Sequence, residues 1–195
     1  MNEYNFIDLS SIESETEPFP HFSAASALQN NLGNLLFDWF KQTKAWMLVE
    51  TDFYEQYEIN MLSVDLPTHL QFLVSKEVIN VIKEKFKIIF NIGSLDLVGL
   101  VAHKLVDGQK IGIHNDFIDE EETHRLVIHV NPGWTDENGG YLMLFGSDKV
   151  NDVSKIIQPA NNSAFGFEIS TNSHHAVSKI YDYIRYTLIY TFKKG

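Results

Sequence analysis

Residues 112–117 read GIHNDF and place His114 and Asp116 two positions apart. On a β-strand, alternate residues point to the same face, so both side chains could bind one metal ion from a single strand. A second histidine, His175, follows much later in the chain. Two neutral imidazoles and one carboxylate, with other coordination positions open, form the facial triad typical of non-haem Fe(II) sites for oxygen chemistry. The sequence therefore predicts an iron oxygenase with these three residues as metal ligands and catalytic centre.

An arginine lies within the last apolar stretch of the chain. In RYTLIYTF, alternate residues share a face, so Arg185 and Thr187 are expected to point together into the interior of a sheet. A buried guanidinium without a partner is costly, and a carboxylate satisfies it in bidentate geometry. We therefore predict that Arg185, with Thr187 beside it, binds the carboxylate of a co-substrate. The alternative is a salt bridge from Arg185 to Glu168 or Asp182.

The first half of the chain has helical patterns. Apolar residues recur at three- and four-residue spacings over residues 23–41, and again within residues 67–90, where Ser75 is a candidate N-cap. Residues 45–51 (AWMLVET) have the composition of a strand. Residues 1–20 are polar and acidic and are predicted to form an irregular arm. About two helices are thus expected to precede the metal motif and to pack on a sheet.

After Gly93 the sequence changes to short apolar runs separated by Gly, Asn and Asp. Such spacing is typical of a sandwich or barrel, and a jelly roll is one of the few that holds a metal in its mouth. Gly139 and Gly140 are expected to permit a tight turn and a close backbone approach. The predicted fold class is mainly β with flanking helices.

Composition excludes several classes of function. The chain has 195 residues, 44% hydrophobic and 21% charged, and no apolar run reaches the ~18 residues that a membrane span needs. A net charge of −11 disfavours a nucleic-acid partner. The absence of cysteines leaves His, Asp and Glu as metal ligands. The first residues do not have the pattern of a signal peptide, so a cytoplasmic location is expected.

Four motifs, in this order, resemble the catalytic domain of the Fe(II)/2-oxoglutarate dioxygenases of the prolyl-hydroxylase type. They are GQKIGIHND, NPGWTDENGGYLMLF, HAV and RYTLIYTF. The resemblance covers roughly residues 95–193 and implies a double-stranded β-helix, that is, a jelly roll. It also implies the use of Fe(II), 2-oxoglutarate and O₂, with succinate and CO₂ as products. We therefore predict a single domain over residues 1–195, with residues 1–92 as arm and helical support and residues 93–195 as catalytic core.

The resemblance also assigns site residues. His114, Asp116 and His175 match the iron ligands, and Arg185 matches the anchor of 2-oxoglutarate. His129, two residues before the Asn of the N-x-x-W segment, matches a position that often hydrogen-bonds the co-substrate. The chain departs from the family at Leu105, where related sequences tend to have tyrosine, so His103 is an alternative source of that hydrogen bond. In the doublet His174-His175 only one ring can face the metal, and the family's HxV signature selects His175.

The leading hypothesis is an Fe(II)/2-oxoglutarate-dependent hydroxylase that oxidises an unactivated C–H bond of an amino acid, a peptide or a related small metabolite. Asp116 favours hydroxylation, because related halogenases replace this carboxylate with a small residue. Desaturation or cyclisation by the same cofactors is an alternative outcome. Two other hypotheses are a non-catalytic jelly-roll module that binds a small acid, and a hydrolase or isomerase that uses zinc or manganese. The presence of Arg185 argues against the hydrolase. The sequence leaves the substrate and the oligomeric state open.

Overall fold

Twelve strands form two sheets in the computed structural model, which describes residues 6–9, 11–29 and 31–195. In chain order the strands are β1 (Ile12–Glu15), β2 (His21–Ala24), β3 (Met47–Glu50), β4 (Glu55–Asn60), β5 (Leu95–Leu105), β6 (Ile111–His114), β7 (His124–His129), β8 (Leu142–Phe145), β9 (Val153–Ile157), β10 (Ala164–Glu168), β11 (His175–Val177) and β12 (Arg185–Lys194). The larger sheet has the order β1-β2-β10-β7-β12-β5-β4-β3, and the smaller has the order β6-β11-β8-β9.

The larger sheet separates two hydrophobic clusters. One cluster fills the space between its outer face and the helices. The other includes Leu105 and Phe165 of the larger sheet and Leu144 and Val177 of the smaller one, so it lies between the two sheets. Two facing sheets with helices behind the larger one form the jelly roll that the sequence predicts. The fold class is therefore confirmed.

Two α-helices cover the larger sheet, α1 (Leu32–Gln42) and α2 (Lys76–Phe90), and a 3-10 helix (Thr68–Val74) leads into α2. The side chain of Ser75 accepts a hydrogen bond from the backbone N–H of Val78 at 3.3 Å, which confirms the predicted N-cap. Helix α2 buries a stripe of apolar side chains against the sheet, and each such side chain contributes about 1.5–3 kcal/mol. This stripe comprises Val78, Ile82 and Phe86. No helix in the described residues is long and apolar enough to cross a membrane.

The N-terminal region differs from the prediction. Within the expected irregular arm, residues 12–15 form strand β1, while residues 1–5 and 10 lie outside the described part of the chain. The first helix begins at Leu32 rather than at residue 23, because β2 pairs with β10 along its whole length. Gly166 of β10 makes this pairing possible, since a Cβ there would lie 2.2 Å from the ring of Phe22. Helical spacing was therefore overridden by a long-range strand contact.

Besides β1 and β2, strands β4 and β9 were not predicted, and both are neighbours of strands that were. β4 joins β3 to the long strand β5, and β9 pairs with β8 at the edge of the smaller sheet. The residues of β4 alternate between the two faces of the larger sheet, and its inner face reaches the metal-ligand candidates through the cavity described below. This strand therefore matters for the site.

Candidate active site

The three predicted metal ligands converge on the smaller sheet. His114 ends β6 and is paired in register with His175, the first residue of β11. The carboxylate oxygens of Asp116 lie 3.4 Å from Nε2 of His114 and 3.2 Å from Nε2 of His175. The candidate ligand atoms all lie within 4.8 Å of one another. One ion could therefore contact all three side chains.

Backbone carbonyls fix the orientation of both imidazoles. Nδ1 of His114 lies 2.9 Å from the carbonyl oxygen of Gly112, and Nδ1 of His175 lies 2.8 Å from that of Ser173. A carbonyl can only accept, so in each ring Nδ1 carries the hydrogen and Nε2 presents its lone pair. Burial lowers the pKa of His175, and the nearby Asp116 offsets part of that shift. Three acceptors thus face one another, which is the arrangement that a cation stabilises.

The sequence predicts Asp116 on the same strand as His114, but the structure places Asp116 beyond the end of that strand. β6 ends at His114, and Asp116 has a left-handed backbone with φ of 60°. Asp adopts this conformation more readily than most residues. The preceding Asn115 supports the turn, since its side-chain oxygen accepts from the N–H of Phe117 at 3.1 Å and its amide donates to the carbonyl of Thr171 at 3.1 Å. A turn, rather than alternation along a strand, directs Asp116 to the site.

Arg125 on β7 forms an ion pair with Asp116, and the sequence did not identify Arg125 as a site residue. Its Nη1 donates to Oδ2 of Asp116 at 2.6 Å, and its Nη2 pairs with the carboxylate of Glu122. Burial would raise the pKa of Asp116, but Arg125 and His175 outweigh it and hold that pKa well below its usual range. The available signal was a lone arginine in the apolar strand sequence HRLVIH, the same kind of signal that identified Arg185.

A cavity of about 290 Å³ lies between the two sheets and includes all three metal-ligand candidates in its lining. A row of polar side chains crosses the inner face of the larger sheet here, because direct neighbours on adjacent strands point to the same side. In the order β4, β5, β12 and β7, this row consists of Glu58, His103, Thr187 and His129. Glu58, His103 and Thr187 of this row line the cavity together with the metal-ligand candidates, and His129 lies buried next to Thr187.

Arg185 lines this cavity and forms no ion pair among the described residues. It is 4% exposed, and its Nε has no hydrogen-bond partner among the described residues. Neither Glu168 nor Asp182 forms an ion pair with it in the described part of the chain, so the alternative salt bridge is wrong. Burial without a nearby anion lowers the pKa of Arg185 to about 10. The environment of this guanidinium suits an incoming carboxylate.

Two histidines of the polar row, His129 and the partly buried His103, are neutral. His129 is 0% exposed with no partner at either ring nitrogen among the described residues, and burial together with Arg185 lowers its pKa well below the usual range. Burial and the charge of Arg125 lower the pKa of His103 to about 3. His129 beside Thr187 is thus an available hydrogen-bonding group at the predicted co-substrate position, and His103 lines the cavity near Leu105.

His174 faces away from the triad. It lines a second space, a groove of about 470 Å³ that shares His114, Asp116 and Tyr54 with the cavity. The groove is also lined by a set of apolar side chains, of which Phe53 and Ile118 are 43% and 70% exposed. That set is Phe53, Ile113, Phe117 and Ile118. The ring of Phe53 packs on that of His114 with centroids 4.9 Å apart.

The residues present fit the cofactors that the sequence implies. Two imidazole lone pairs and one carboxylate are the donor set of the facial triad for Fe(II). The unpartnered guanidinium of Arg185, with Thr187 and His129 alongside, is placed for a dicarboxylate. We therefore retain all six predicted site residues as candidates.

Comparisons with known proteins agree with this geometry. Residues 101–191 match the family model of the 2OG-Fe(II) oxygenase superfamily. The prolyl 3-hydroxylase sudestada1 of Drosophila melanogaster is 25% identical over 188 residues, which cover 89% of this chain and 34% of that protein. The chain therefore spans about a third of the length of this relative.

Solved structures share the fold at low sequence identity. A prolyl-4-hydroxylase of Pseudomonas putida is similar with a TM-score of 0.70 and 16% identity, over 90% of this chain and 92% of that one. A prolyl hydroxylase of Trichoplax adhaerens, in complex with a peptide fragment of the hypoxia inducible factor oxygen degradation domain, has a TM-score of 0.75 and 12% identity, over 89% and 83%. The resemblance stated from the motifs is confirmed, and the family uses Fe(II), 2-oxoglutarate and O₂.

Proposed function

We propose that the chain acts as a prolyl-hydroxylase-like 2OG-Fe(II) oxygenase that hydroxylates a side-chain carbon of a polypeptide substrate, with prolyl residues as the first candidates. The observation that carries this proposal is the groove on the outer side of the metal-ligand candidates. It is lined by exposed apolar side chains and gives access to His114 and Asp116.

The sizes of the two spaces favour a peptide over a free metabolite. The inner cavity of about 290 Å³ is at the lower limit of small-molecule pockets, so 2-oxoglutarate would fill much of it. The outer groove of about 470 Å³ is open along its length and exposes apolar surface at Phe53 and Ile118. An extended chain could lie there with one side chain directed at the metal-ligand candidates. Relatives named as prolyl hydroxylases support the same substrate class.

The six candidate site residues divide into metal ligands and co-substrate ligands. His114, Asp116 and His175 would hold Fe(II), and Arg185 with Thr187 and His129 would hold the distal carboxylate of 2-oxoglutarate. With O₂, the bound iron and co-substrate would supply the oxidation of a C–H bond to an alcohol, with succinate and CO₂ as co-products. The fixed Nδ1–H bonds of the two imidazoles keep their Nε2 lone pairs aimed at one point. Apolar wall residues such as Leu142 and Val177 limit the water beside that point.

The proposal is tested by measuring succinate formation with Fe(II), 2-oxoglutarate and a panel of proline-containing peptides, followed by mass spectrometry of the peptides. We expect turnover that depends on a peptide and a product that has gained one oxygen atom. The matched variants are His175→Ala, expected to lose turnover and Mn(II) binding, and His174→Ala, expected to keep Mn(II) binding because its ring lies outside the triad. Turnover that requires a free amino acid, with no response to any peptide, would refute the peptide assignment.

A further inference from the structure

The β4 wall of the cavity carries polar groups that the proposed reaction does not use. Tyr54 and the inward residues of β4, Gln56 and Glu58, alternate along the chain and line the cavity together. Glu58 is paired in register with His103 on β5, and its side chain is 26% exposed. Tyr54 lies between this wall and the metal-ligand candidates: burial raises its pKa, and the charges of Glu58 and Asp116 raise it further.

Gln56 holds Glu58 in a fixed position. Its Nε2 donates to Oε1 of Glu58 at 2.8 Å and lies 3.2 Å from Nδ1 of His103. A carboxylate can only accept, so the amide nitrogen must face Glu58 and the amide oxygen must point elsewhere. Gln56 is only 2% exposed, and its amide oxygen is buried and has no hydrogen-bond partner among the described residues. A preorganised carboxylate therefore lines the cavity, and the unpartnered amide oxygen belongs to a residue of the same wall.

Within the described part of the chain, the charges that line the cavity leave Glu58 without a cationic partner. Arg125 is paired with Asp116 and Glu122, and Arg185 is reserved for the co-substrate in the proposed function. Bound Fe(II) and 2-oxoglutarate carry opposite charges of equal size, so they do not alter this balance. His103, the remaining neighbour of Glu58, is neutral because burial lowers its pKa to about 3. A carboxylate at a partly buried position without a counter-charge is costly.

We propose that Glu58 and Gln56 form a binding subsite for a cationic group of the substrate, an ammonium or guanidinium that lies close to the carbon to be oxidised. The ammonium N–H groups would donate to the Glu58 carboxylate and to the unpartnered oxygen of Gln56. This inference rests on the proposed function: a substrate side chain that enters from the outer groove, past Tyr54, would reach the part of the cavity that 2-oxoglutarate leaves free. The cation comes either from the amino group of the target residue itself or from the side chain of a basic residue.

Two pairs of probes test the subsite and separate the two sources. The first pair is L-prolinamide, which carries the amino group, and N-acetyl-L-prolinamide, which is neutral. The second pair is Nα-acetyl-lysine methylamide and its Nε-acetylated form. Dissociation constants are measured by calorimetry on protein loaded with Mn(II) and 2-oxoglutarate without O₂. We expect the cationic member of at least one pair to bind about tenfold or more tightly than its neutral partner, as a charge-assisted hydrogen bond provides.

Matched variants test whether the preference for the cationic probe depends on Glu58 and Gln56. Glu58→Gln should reduce the preference for the cation to less than about threefold, since an amide of the same shape keeps the contacts and loses the charge. Gln56→Met should reduce the preference partly, and it gives a second measurement that does not depend on how Glu58→Gln folds. Glu50→Gln, at an exposed carboxylate on β3 outside the cavity, should bind like the wild type.

The outcomes separate this inference from the proposed function. Equal or undetectable binding of both members in both pairs, with normal binding of Mn(II) and 2-oxoglutarate, would overturn the cation subsite and leave the oxygenase assignment standing. An undiminished preference in Glu58→Gln would also overturn it. Failure of the wild-type protein to bind Mn(II) and 2-oxoglutarate would instead count against the proposed function.

Discussion

At Arg125, one guanidinium balances two carboxylates, and one of them is a candidate metal ligand. Arg125→Met should weaken Mn(II) binding about 10- to 100-fold, the usual effect of removing a hydrogen-bond partner of a metal ligand. It should also destabilise the metal-free protein more than the Mn(II)-loaded one, because Asp116 and Glu122 then face each other without a cation. Calorimetric titration and urea unfolding measure the two effects.

Arg125→Lys is the matched control for Arg125→Met, because it keeps the charge but not the bidentate geometry. It should recover part of the Mn(II) affinity. Wild-type affinity in a folded Arg125→Met protein would remove the positioning role of this residue.

Arg185 is the other arginine that lines the cavity, and its anionic partner is expected to be the co-substrate. Arg185→Gln should weaken 2-oxoglutarate binding to the Mn(II)-loaded protein by one to two orders of magnitude, since a hydrogen bond to a charged group contributes roughly 1.5–3 kcal/mol. Mn(II) affinity without co-substrate should stay near the wild-type value, because Arg185 forms no ion pair with the metal-ligand candidates among the described residues. Unchanged 2-oxoglutarate affinity would disprove the anchor.

The site residues differ in how far the sequence alone predicts them. His114, His175 and Arg185 could be predicted because a known order of motifs marks them. The lone arginine of HRLVIH marks Arg125 as a candidate, but the partners of Arg125 and the role of Glu58 could not be predicted, because each depends on a tertiary contact. Arg125 reaches the turn after β6 from β7, and Glu58 faces the cavity only once β4 pairs with β5. No local pattern encodes such contacts.

At the scale of elements, the turn at Gly139 and Gly140 positions strand β12. Gly140 has φ of 71°, and a Cβ there would lie 2.6 Å from Cδ1 of Ile180 and 3.0 Å from Cδ of Arg185. Gly140→Ala should therefore lower the free energy of unfolding and also weaken 2-oxoglutarate binding by displacing the Arg185 side chain. Unfolding in urea and calorimetry measure the two quantities.

Gly133 provides the control, since its φ of 78° is similar but no atom of the described residues lies within 4 Å of a Cβ placed there. Gly133→Ala should cost only the backbone strain, about 1–2 kcal/mol, and leave co-substrate binding unchanged. Equal effects of the two substitutions on 2-oxoglutarate affinity would show that the close packing at Gly140 does not position Arg185.

Elements with strong local signals were predictable. The capped helix α2 and the apolar strands β5 and β12 lie close to where the sequence indicated them. Residues 11–29 were not predictable, because β2 is a strand only by virtue of its pairing with β10, and its sequence also fits the start of a helix. Propensity describes one segment at a time, whereas this sheet joins segments far apart in the chain.

On the scale of the whole molecule, the larger sheet has two chemically different sides. Its helix-facing side carries buried aromatic and aliphatic side chains, and its inner side carries the polar row and two arginines. His124 is an exception on the helix-facing side: it lies among Phe86 and Phe90, is 1% exposed, and its Nε2 has no partner among the described residues. Burial and then the charge of Lys194 lower the pKa of His124 to about 4.

This depressed pKa predicts how stability depends on pH. Between the unfolded pKa of about 6.5 and the folded value of about 4, the unfolded chain binds a proton at His124 that the folded protein does not. The stability that neutral His124 provides is therefore complete above about pH 6.5 and is lost as pH falls toward 4, at up to about 1.4 kcal/mol per pH unit. His124→Gln should reduce the slope of unfolding free energy against pH by that amount across this interval.

Urea unfolding of both proteins at several values between pH 4.5 and 7 measures the slopes. The comparison of slopes is independent of any constant destabilisation that glutamine introduces among Phe86 and Phe90. His69→Gln, which removes an exposed histidine from the 3-10 helix, controls for the change in composition. Parallel pH profiles for the wild type and His124→Gln would mean that His124 takes up its proton equally in the folded and unfolded states, so the aromatic surroundings would not be responsible for any acid sensitivity of this fold.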